Sequence, residues 1–320
     1  MSGAARLGRT LIIANPAAHA GAASGIGARL ARFLGMYLHD GQAVELARTE
    51  RPGHATDIAA GAAGFDTVLA VGGDGIVRET VCGLMDIPRV RRPRLGVVPV
   101  GSGNDYARTV GMPEVRSDDD LAALLACEPR ELDVGRIVYA EAEGGSDRVG
   151  YFAQTLSFGL DAAIALGTYE LRLSTGLTGT ALYTASGLDV FCRRYRDFPA
   201  LVSIDGAPAE RMRPIIFAMQ IGPTYGSGFR ICPDADPADG LLDVCYACGP
   251  YPRAAALPLF LAAKGGRHVA SRRVRMRRAR EVELVFEEAG YPIQADGERV
   301  AAARLRADVL PGALTVLCRG

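Results

Sequence analysis

The chain has 320 residues, of which 49% are hydrophobic and 22% are charged. This balance excludes a disordered protein, and the length exceeds what one hydrophobic core usually supports, so we expect two domains. The 36 Lys and Arg residues match the 36 Asp and Glu residues, which excludes a protein that binds nucleic acid through its overall charge.

The first part of the chain has the pattern of an α/β domain with a parallel sheet and helices on both faces. Short β-rich runs predict strands at residues 11–14, 44–46, 67–71, 95–99 and 132–137. Apolar residues at helical spacing between the first two strands are Ile26, Leu30, Phe33, Leu34, Tyr37 and Leu38. Further helices are predicted at residues 54–63, 76–85 and 117–126, the last with a capping-box signal from Ser117 and Asp120.

The rhythm changes near Ile137, where strand-like runs begin to follow one another between glycine turns. This pattern predicts a mostly antiparallel, β-rich second domain. One helix is predicted at residues 180–195, and apolar and charged residues alternate over residues 273–286. We place the first domain at residues 1–135 and the second at 136–303, with a tail of about residues 304–320 returning to the first.

The cysteines and the apolar runs are typical of a cytoplasmic protein. Seven cysteines, an odd number spread along the chain, do not suit a disulfide framework. Cys245 and Cys248 make a single C-x-x-C pair, which we interpret as strand packing because no second pair completes a zinc site. The apolar run at residues 254–263 has about half the length that a membrane-spanning helix requires.

The strongest chemical signal is a glycine turn directly after the predicted strand at residues 67–71. It reads Gly72, Gly73, Asp74 and Gly75, and a helix begins at Ile76. Glycines let the backbone approach a phosphate closely, and the amides of a helix start attract an anion. A carboxylate cannot bind phosphate directly, so Asp74 is better suited to Mg²⁺.

A second turn of the same kind follows the predicted strand at residues 95–99. Its residues are Gly101, Ser102, Gly103, Asn104 and Asp105. Turns at the carboxyl ends of strands in one sheet meet at one crevice, and Asn15 after the first strand can close it. The sequence has no G-x-x-x-x-G-K-[ST] motif, so this nucleotide site is not of the Walker type.

In the order and spacing of its motifs, the chain resembles the diacylglycerol kinase catalytic domain family, which includes bacterial lipid kinases and sphingosine and ceramide kinases. The matching segments are residues 15–16, 49–55, 72–75, 101–108, 132–135, 158–161, 225–228, 233–235, 239–244 and 296–298. The resemblance implies an ATP-dependent kinase that phosphorylates a hydroxyl of a membrane lipid.

The resemblance also implies roles for individual residues. ATP would be held by Asn15, Thr49, Gly72, Gly73, Asp74, Gly75, Ile76, Glu79, Ser102, Gly103 and Asn104. An acidic network around catalytic Mg²⁺ would consist of Asp74, Asp105 and Asp133. The chain departs from the family pattern at Ile76, where the family usually has Thr, at Ser102, which also replaces Thr, and at Ile221, which replaces Asn.

A second cation site is implied by the acidic segment at residues 233–240. By the resemblance, a structural Mg²⁺ would be bound there by Asp236, Asp239 and Leu241, the last through its carbonyl. The residues alone are equally compatible with a solvated acidic turn.

The family resemblance makes Glu298 or Asp296 the catalytic base, and the sequence does not choose between them. A carboxylate that orients or deprotonates the nucleophile is what phosphoryl transfer requires. Read without the family, Asp296 and Gly297 form a D-G hairpin turn.

Seven arginines and His268 lie between Arg267 and Arg280. They are compatible with peripheral docking to an anionic membrane surface and equally with one solvated strand face. Alternatives to the lipid kinase are an NAD kinase-like enzyme and a non-catalytic nucleotide- or lipid-binding protein of the same fold. The acceptor lipid has no linear signature, and the oligomeric state stays open, a homodimer being compatible with the sequence.

Overall fold

The computed structural model describes residues 7–16, 22–36 and 43–319. The predicted helix residues Tyr37 and Leu38 lie outside the described residues. The chain divides into two compact units, the first made of Met1–Leu132 and Gly312–Gly320 and the second of Asp133–Pro311.

The first unit contains a parallel sheet covered by helices. Its strands, in the spatial order β2-β1-β3-β4, are β1 (Thr10–Ala14), β2 (Val44–Arg48), β3 (Thr67–Gly72) and β4 (Arg94–Pro99). Every residue of β1 and β3 is buried, as expected for strands that are covered on both faces. The helices are α1 (Ala22–Gly35), α2 (His54–Ala60), α3 (Asp74–Met85), α4 (Asp105–Thr109) and α5 (Asp118–Ala122).

The helices of the first unit form where the apolar periodicity places them. In α1, Leu30, Phe33 and Leu34 are buried. The capping box at α5 is complete, since the Ser117 side chain accepts from the Asp120 amide while the Asp120 carboxylate accepts from the Ser117 amide. The predicted α/β class of this unit is confirmed.

The second unit is built mainly from antiparallel strands, as predicted. The long strand β5 (Glu128–Ala140) enters it and pairs with β6 (Arg148–Phe152). The remaining strands are β7 (Thr155–Gly159), β8 (Ala200–Ile204), β9 (Glu210–Met212), β10 (Pro214–Gln220), β11 (Leu242–Cys248), β12 (Val274–Ala279), β13 (Glu281–Phe286), β14 (Ile293–Ala295), β15 (Glu298–Arg299) and β16 (Arg304–Cys318). One sheet of this unit has the order β12-β11-β10-β7-β14-β15.

The prediction of a single helix in the second unit was wrong. The structure contains α6 (Leu160–Thr175), α7 (Gly179–Arg193) and α8 (Arg253–Ala263). The start of α6 is rich in Ala and Leu and directly follows Gly159, the last residue of β7, so its apolar run resembles a continuation of the strand. Helix α8 contains Pro258 and lacks the polar face that marks an amphipathic helix.

The alternating residues 273–286 form two strands in different sheets. Strand β12 pairs with β11, whereas β13 pairs with β8 and β16. An aromatic cluster fills the core of this unit, with the Phe158 ring centroid 5.2 Å from Phe217 and 5.1 Å from Phe286. Within the first unit, Val316 near the end of β16 pairs in parallel with Leu95 of β4.

Candidate active site

The two predicted glycine turns lie against each other at the ends of β3 and β4. The Val100 amide donates to the Gly72 carbonyl at 2.9 Å. A Cβ placed on Gly101 would lie 2.4 Å from the Gly73 Cα, a distance that real Cβ atoms essentially never show. Glycine is therefore required because the two backbones approach each other, in addition to any approach to a phosphate.

Two carboxylates flank the second turn. A Cβ at Gly103 would lie 2.6 Å from one Asp74 oxygen and 3.8 Å from one Asp105 oxygen. The other Asp74 oxygen accepts from the Tyr106 amide at 3.0 Å, which joins α3 to α4. Asp105 is buried and pairs with the Arg108 guanidinium at 3.0 Å.

Asn104 braces the second turn from within. Its backbone is left-handed, with φ of 55°, a conformation that Asn tolerates better than most residues. The side-chain oxygen accepts from the Gly101 amide at 3.0 Å, and the side-chain nitrogen donates to the Gly101 carbonyl at 2.6 Å. These bonds give Asn104 a structural role, and its predicted contact with ATP stays a prediction.

The other predicted nucleotide residues also follow strands of this sheet. The Asn15 amide donates to the Val71 carbonyl at 3.4 Å, and the Thr49 amide donates to the Ala14 carbonyl at 3.0 Å. The Ile76 side chain is buried and can offer a ligand only its backbone. Glu79 has a role that sequence did not indicate, because its carboxylate accepts from the amides of Gly53 at 2.9 Å and Ala55 at 3.1 Å, which caps α2.

Asp133 holds the acidic segment of the second unit in place. Its side chain is 2% exposed and accepts from the Gly240 amide at 2.7 Å. Its own amide donates to the Pro237 carbonyl at 2.8 Å. Asp133 therefore has a defined structural partner, and its place in a magnesium network stays a prediction.

The acidic segment itself fits a metal poorly in this arrangement. One Asp239 oxygen accepts from the Leu241 amide at 3.0 Å, and the other pairs with the Arg278 guanidinium. Asp236 accepts from the Ala238 amide at 3.0 Å. A Mg²⁺ bound by these groups would have to displace Arg278, which now supplies the positive charge.

Asp296 and Glu298 have different surroundings. The Asp296 carboxylate accepts from the backbone amides of Ala153 at 2.6 Å, Gln154 at 3.0 Å and Thr155 at 2.7 Å. Glu298 is exposed on the short strand β15. The sequence does not choose between these two residues, but their surroundings differ. The Asp296 carboxylate fixes the turn before β7, whereas Glu298 is accessible.

A row of buried polar side chains crosses the sheet beside these residues. Asp243, Gln220 and Thr155 pair directly across β11, β10 and β7, so their side chains lie on one face. Each has a buried polar atom without a hydrogen-bond partner in the described structure. Burial, followed by the charges of Asp234 and Asp236, raises the pKa of Asp243 to about 6. Sequence reasoning missed Gln220, whose only signal is a polar residue at the end of an apolar strand.

The same face of the sheet continues into an apolar cavity of about 80 Å³. The registers place Ala218 and Cys245 in the next same-face row and Ile216 and Ala247 in the row after that, and Ile216, Ala218 and Ala247 line the cavity. The face therefore changes from polar at the edge to apolar inside. This gradient suits an amphipathic molecule.

The cavity also contains buried polar groups. Asp161 is 8% exposed, and one of its oxygens accepts from the Tyr225 hydroxyl at 2.9 Å while the other has no partner. Burial raises the pKa of Asp161 to about 6. The His268 Nδ1 atom also has no partner, and burial lowers the pKa of this imidazole.

Within residues 7–16, 22–36 and 43–319, no three His, Cys, Asp or Glu side chains are grouped as a protein-only metal site. The Asp74 carboxylate suits Mg²⁺, since this ion is commonly held by one or two carboxylates together with substrate phosphates, and Asp105 could join it only by releasing Arg108. In the same part of the chain, all helices are too short or too polar to span a bilayer. None of the seven cysteines, all of which lie in the described part of the chain, forms a disulfide bond.

Comparison with known families decides the relationship. Residues 9–137 match the diacylglycerol kinase catalytic domain, and residues 154–318 match the YegS C-terminal NAD kinase beta sandwich-like domain. The chain belongs to the diacylglycerol kinase family.

Relatives of this lipid kinase family cover most of the chain. A diacylglycerol kinase of Mycobacterium tuberculosis is 30% identical over 81% of this chain and 79% of its own length. A Pseudomonas aeruginosa protein named "Probable lipid kinase YegS-like" is 33% identical over 80% of this chain and 77% of its own.

Solved structures share the fold. A diacylglycerol kinase from Bacillus anthracis superposes with a TM-score of 0.75 at 20% identity, covering 97% of both chains. An NAD kinase from Archaeoglobus fulgidus in complex with ATP gives a TM-score of 0.50 at 13% identity, covering 97% of this chain and 92% of the other.

Proposed function

We propose that this chain is a Mg²⁺- and ATP-dependent lipid kinase that transfers the γ-phosphate to a hydroxyl of a membrane lipid. The observation that carries the proposal is the contact of the two glycine turns beside Asp74. Two turns in van der Waals contact bring the backbone amides at the start of α3 and in the second turn to one small volume, where polyphosphate can bind.

The first unit supplies the nucleotide site in this proposal. Amides at the start of α3 and in the Gly101–Gly103 turn bind phosphate oxygens, and Asp74 and Asp105 hold the metal. Mg²⁺, when bound, neutralises the charge on the phosphates. The buried Ile76 keeps the start of α3 fixed, so the loss of the usual Thr hydroxyl removes one donor without moving the amides.

The second unit supplies the base and the acceptor site. Glu298 takes the proton of the lipid hydroxyl while the hydroxyl oxygen forms a bond to the γ-phosphorus. The bond from that phosphorus to the β–γ bridging oxygen breaks, and ADP leaves with its electron pair. Glu298 suits this role better than Asp296, whose three amide bonds hold its carboxylate in the turn before β7.

The cavity under α7 and α8 accepts a hydrocarbon chain of the lipid. Leu160, Ile164 and Phe260 are among its apolar lining, and Asp161 is its buried acid. The acid and the unpartnered His268 nitrogen would select a lipid with a polar group, such as a hydroxyl or a carbonyl, near the start of the chain.

The test is an assay with labelled ATP, Mg²⁺ and a panel of acceptors, namely diacylglycerol, a sphingoid base, ceramide, phosphatidylglycerol and NAD. We expect label in a lipid and none in NAD. Label only in NAD would replace the proposal with a nucleotide kinase, and nucleotide binding without transfer to any acceptor would favour a non-catalytic protein.

Asp74→Asn tests the nucleotide site directly. Asn keeps an oxygen for the Tyr106 amide but removes the charge that the metal requires, so we expect turnover to fall roughly 100-fold or more with little change in melting temperature. The matched control is Asp57→Asn, since Asp57 is an exposed residue whose partner is Arg51. Equal turnover in the two variants would refute the assignment.

A further inference from the structure

Helix α8 has two different apolar faces. The inner face lines the cavity with Ala256, Leu259, Phe260 and Ala263. The outer face exposes Ala254, Ala255, Pro258 and Leu261. Leu261 is 51% exposed, and the helix carries no charged side chain after Arg253. A helix that is apolar all round is normally buried, yet one side of α8 has no cover within the described residues.

Helix α7 extends this uncovered surface. The two helices pack antiparallel, because Lys264 at the end of α8 donates to Thr180 at the start of α7 at 2.9 Å, and Arg253 at the start of α8 donates to the Cys192 carbonyl at 3.2 Å. Gly187 of α7 faces the Phe260 ring. One position further along, Leu188 is 44% exposed.

The outer residues of both helices fall on the same side of the pair. From Gly187, the helical period carries Leu188 away from α8 toward solvent, and from Phe260 it carries Leu261 away from α7 in the same rotational sense. For two antiparallel helices, equal rotation leads to the same side. Leu188, Leu261, Pro258 and the alanines between them therefore form one uncharged surface, here called the α7/α8 face.

The charge along the α8 side of this face has one sign, and Asp189, the acidic residue of α7, pairs with Arg193 at 3.0 Å. Residues 244–280 contain no Asp or Glu but eight Arg and Lys264, in a protein whose total charge balances to zero. Arg267, Arg272 and Arg273 follow α8 directly and are exposed. Arg273 stacks on Tyr251, which precedes α8 and lines the cavity, at 4.6 Å from the ring centroid. An apolar centre with a cationic border complements an anionic bilayer, where acyl chains lie beneath charged headgroups.

We infer that the α7/α8 face inserts into the interface of an anionic membrane, with Leu261 among the acyl chains and the flanking arginines at the headgroups. The inference rests on the proposed function, because it supplies the surface from which a lipid acceptor is taken. It also assigns α8 a specific position, as a wall with bilayer on its outer side and the acceptor cavity on its inner side.

The absence of tryptophan from the chain allows a direct test. Leu261→Trp introduces a single fluorophore on the α7/α8 face, and Val90→Trp introduces one in the first unit, where Val90 is 94% exposed. Each variant is mixed, without ATP, with vesicles of equal parts phosphatidylglycerol and phosphatidylcholine, or of phosphatidylcholine alone. A second set of vesicles carries brominated acyl chains as quencher.

We expect the emission of the Leu261→Trp variant to shift to the blue and to be quenched by brominated chains in the anionic vesicles, with no change for Val90→Trp. Leu261→Glu should lower vesicle partitioning roughly tenfold or more, because a charge replaces the apolar side chain that would lie among the acyl chains of the bilayer. No quenching at position 261 while the protein sediments with vesicles would overturn the inference, as would equal quenching with neutral vesicles or no vesicle binding at all.

Activity separates this inference from the proposed function. With an acceptor dispersed in detergent micelles, Leu261→Glu should retain wild-type turnover, since Leu261 does not line the cavity. Vesicle insertion in a protein that phosphorylates no lipid would refute the proposed function alone. Phosphorylation in micelles without insertion of Leu261→Trp into vesicles would refute only the membrane-docking face.

Discussion

At the scale of single residues, the carboxylates divide into those with complete sets of partners and those without. Asp296 accepts three backbone amides, and Asp133 accepts from Gly240. Glu298 is exposed on β15, the last strand of the sheet that also contains β7 and β14. A carboxylate that fixes a turn contributes to stability, whereas a carboxylate left accessible can take a proton.

This division predicts opposite phenotypes for neighbouring substitutions. Glu298→Gln should reduce turnover by roughly 100-fold to 10,000-fold, the usual range for a general base, at unchanged melting temperature. Asp296→Ala should cost about 2–4 kcal/mol of unfolding free energy, because three amides lose a charged acceptor. Denaturant unfolding and initial rates measured on both variants check this. A stable but inactive Asp296→Ala together with an active Glu298→Gln would reverse the roles.

The buried Asp161 predicts a pH dependence of stability. Its pKa is raised from 3.8 to about 6 by burial in the cavity that also contains Tyr225 and His268, so the native state holds the proton more tightly than the unfolded chain. The contribution of this proton to the free energy of unfolding is about 3 kcal/mol. It is fully present below pH 4 and is lost as the pH rises through about 6. The Asp161→Asn variant has no titrating carboxylate at this position, so its stability lacks this dependence on pH.

The measurement is the difference in unfolding free energy between wild type and Asp161→Asn at several pH values. The wild type should lose stability relative to the variant between pH 4 and 7, and the raised pKa of Asp243 cancels because both proteins contain it. A difference that is constant with pH would mean that Asp161 is solvated.

Residue positions were predictable from sequence where the local pattern sets them. Asp74 lies within its glycine turn, so its place at a strand end needs no tertiary information. The bonds of Asp296 join residues 141 to 143 positions apart, and nothing in the local sequence records them. Glu79 was assigned to ATP from the family motif, and its capping of α2 also depends on a distant segment.

At the scale of elements, the two glycine turns depend on each other. Gly101→Ala would drive its Cβ into the Gly73 backbone, which cannot move without displacing the start of α3. We expect nucleotide affinity to fall roughly tenfold or more and stability to fall by about 1–3 kcal/mol. Calorimetry with Mg²⁺ and ATP measures the first quantity, and thermal unfolding measures the second.

Gly25→Ala is the matched control for this substitution. Gly25 lies in α1 with nothing within 4 Å of the position that a Cβ would take, so Ala should leave stability unchanged or raise it by up to about 1 kcal/mol. Equal effects of the two substitutions would show that the contact between the turns has no energetic weight.

Elements were predictable when their periodicity was clear. The strands of the parallel sheet are continuous buried runs, and α1 and α3 have well-defined faces, so both types appear in the expected places. Helices α6 and α8 were missed because residues 160–165 of α6 are all buried and α8 carries no charged side chain after Arg253, and periodicity gives no signal in such segments.

At the scale of the whole molecule, the proposed nucleotide site in the first unit predicts which backbone amides ATP protects from hydrogen exchange. In hydrogen exchange, Mg²⁺ and ATP should slow the amides of residues 72–77 and 101–106 in the first unit and leave residues 244–280 of the second unchanged. Asp74→Asn should abolish the protection. Protection confined to the second unit would place the nucleotide elsewhere and would contradict the proposed site.

The strand β16 has a consequence for synthesis. Its residues Arg304–Asp308 complete the β13 edge of the second unit, and Val316 then takes its place beside β4 in the first. The sheet that carries both glycine turns therefore lacks its final strand until residues 312–318 have left the ribosome. A nascent chain stalled before that point should remain sensitive to proteases in its first 132 residues, although those residues have already left the ribosome.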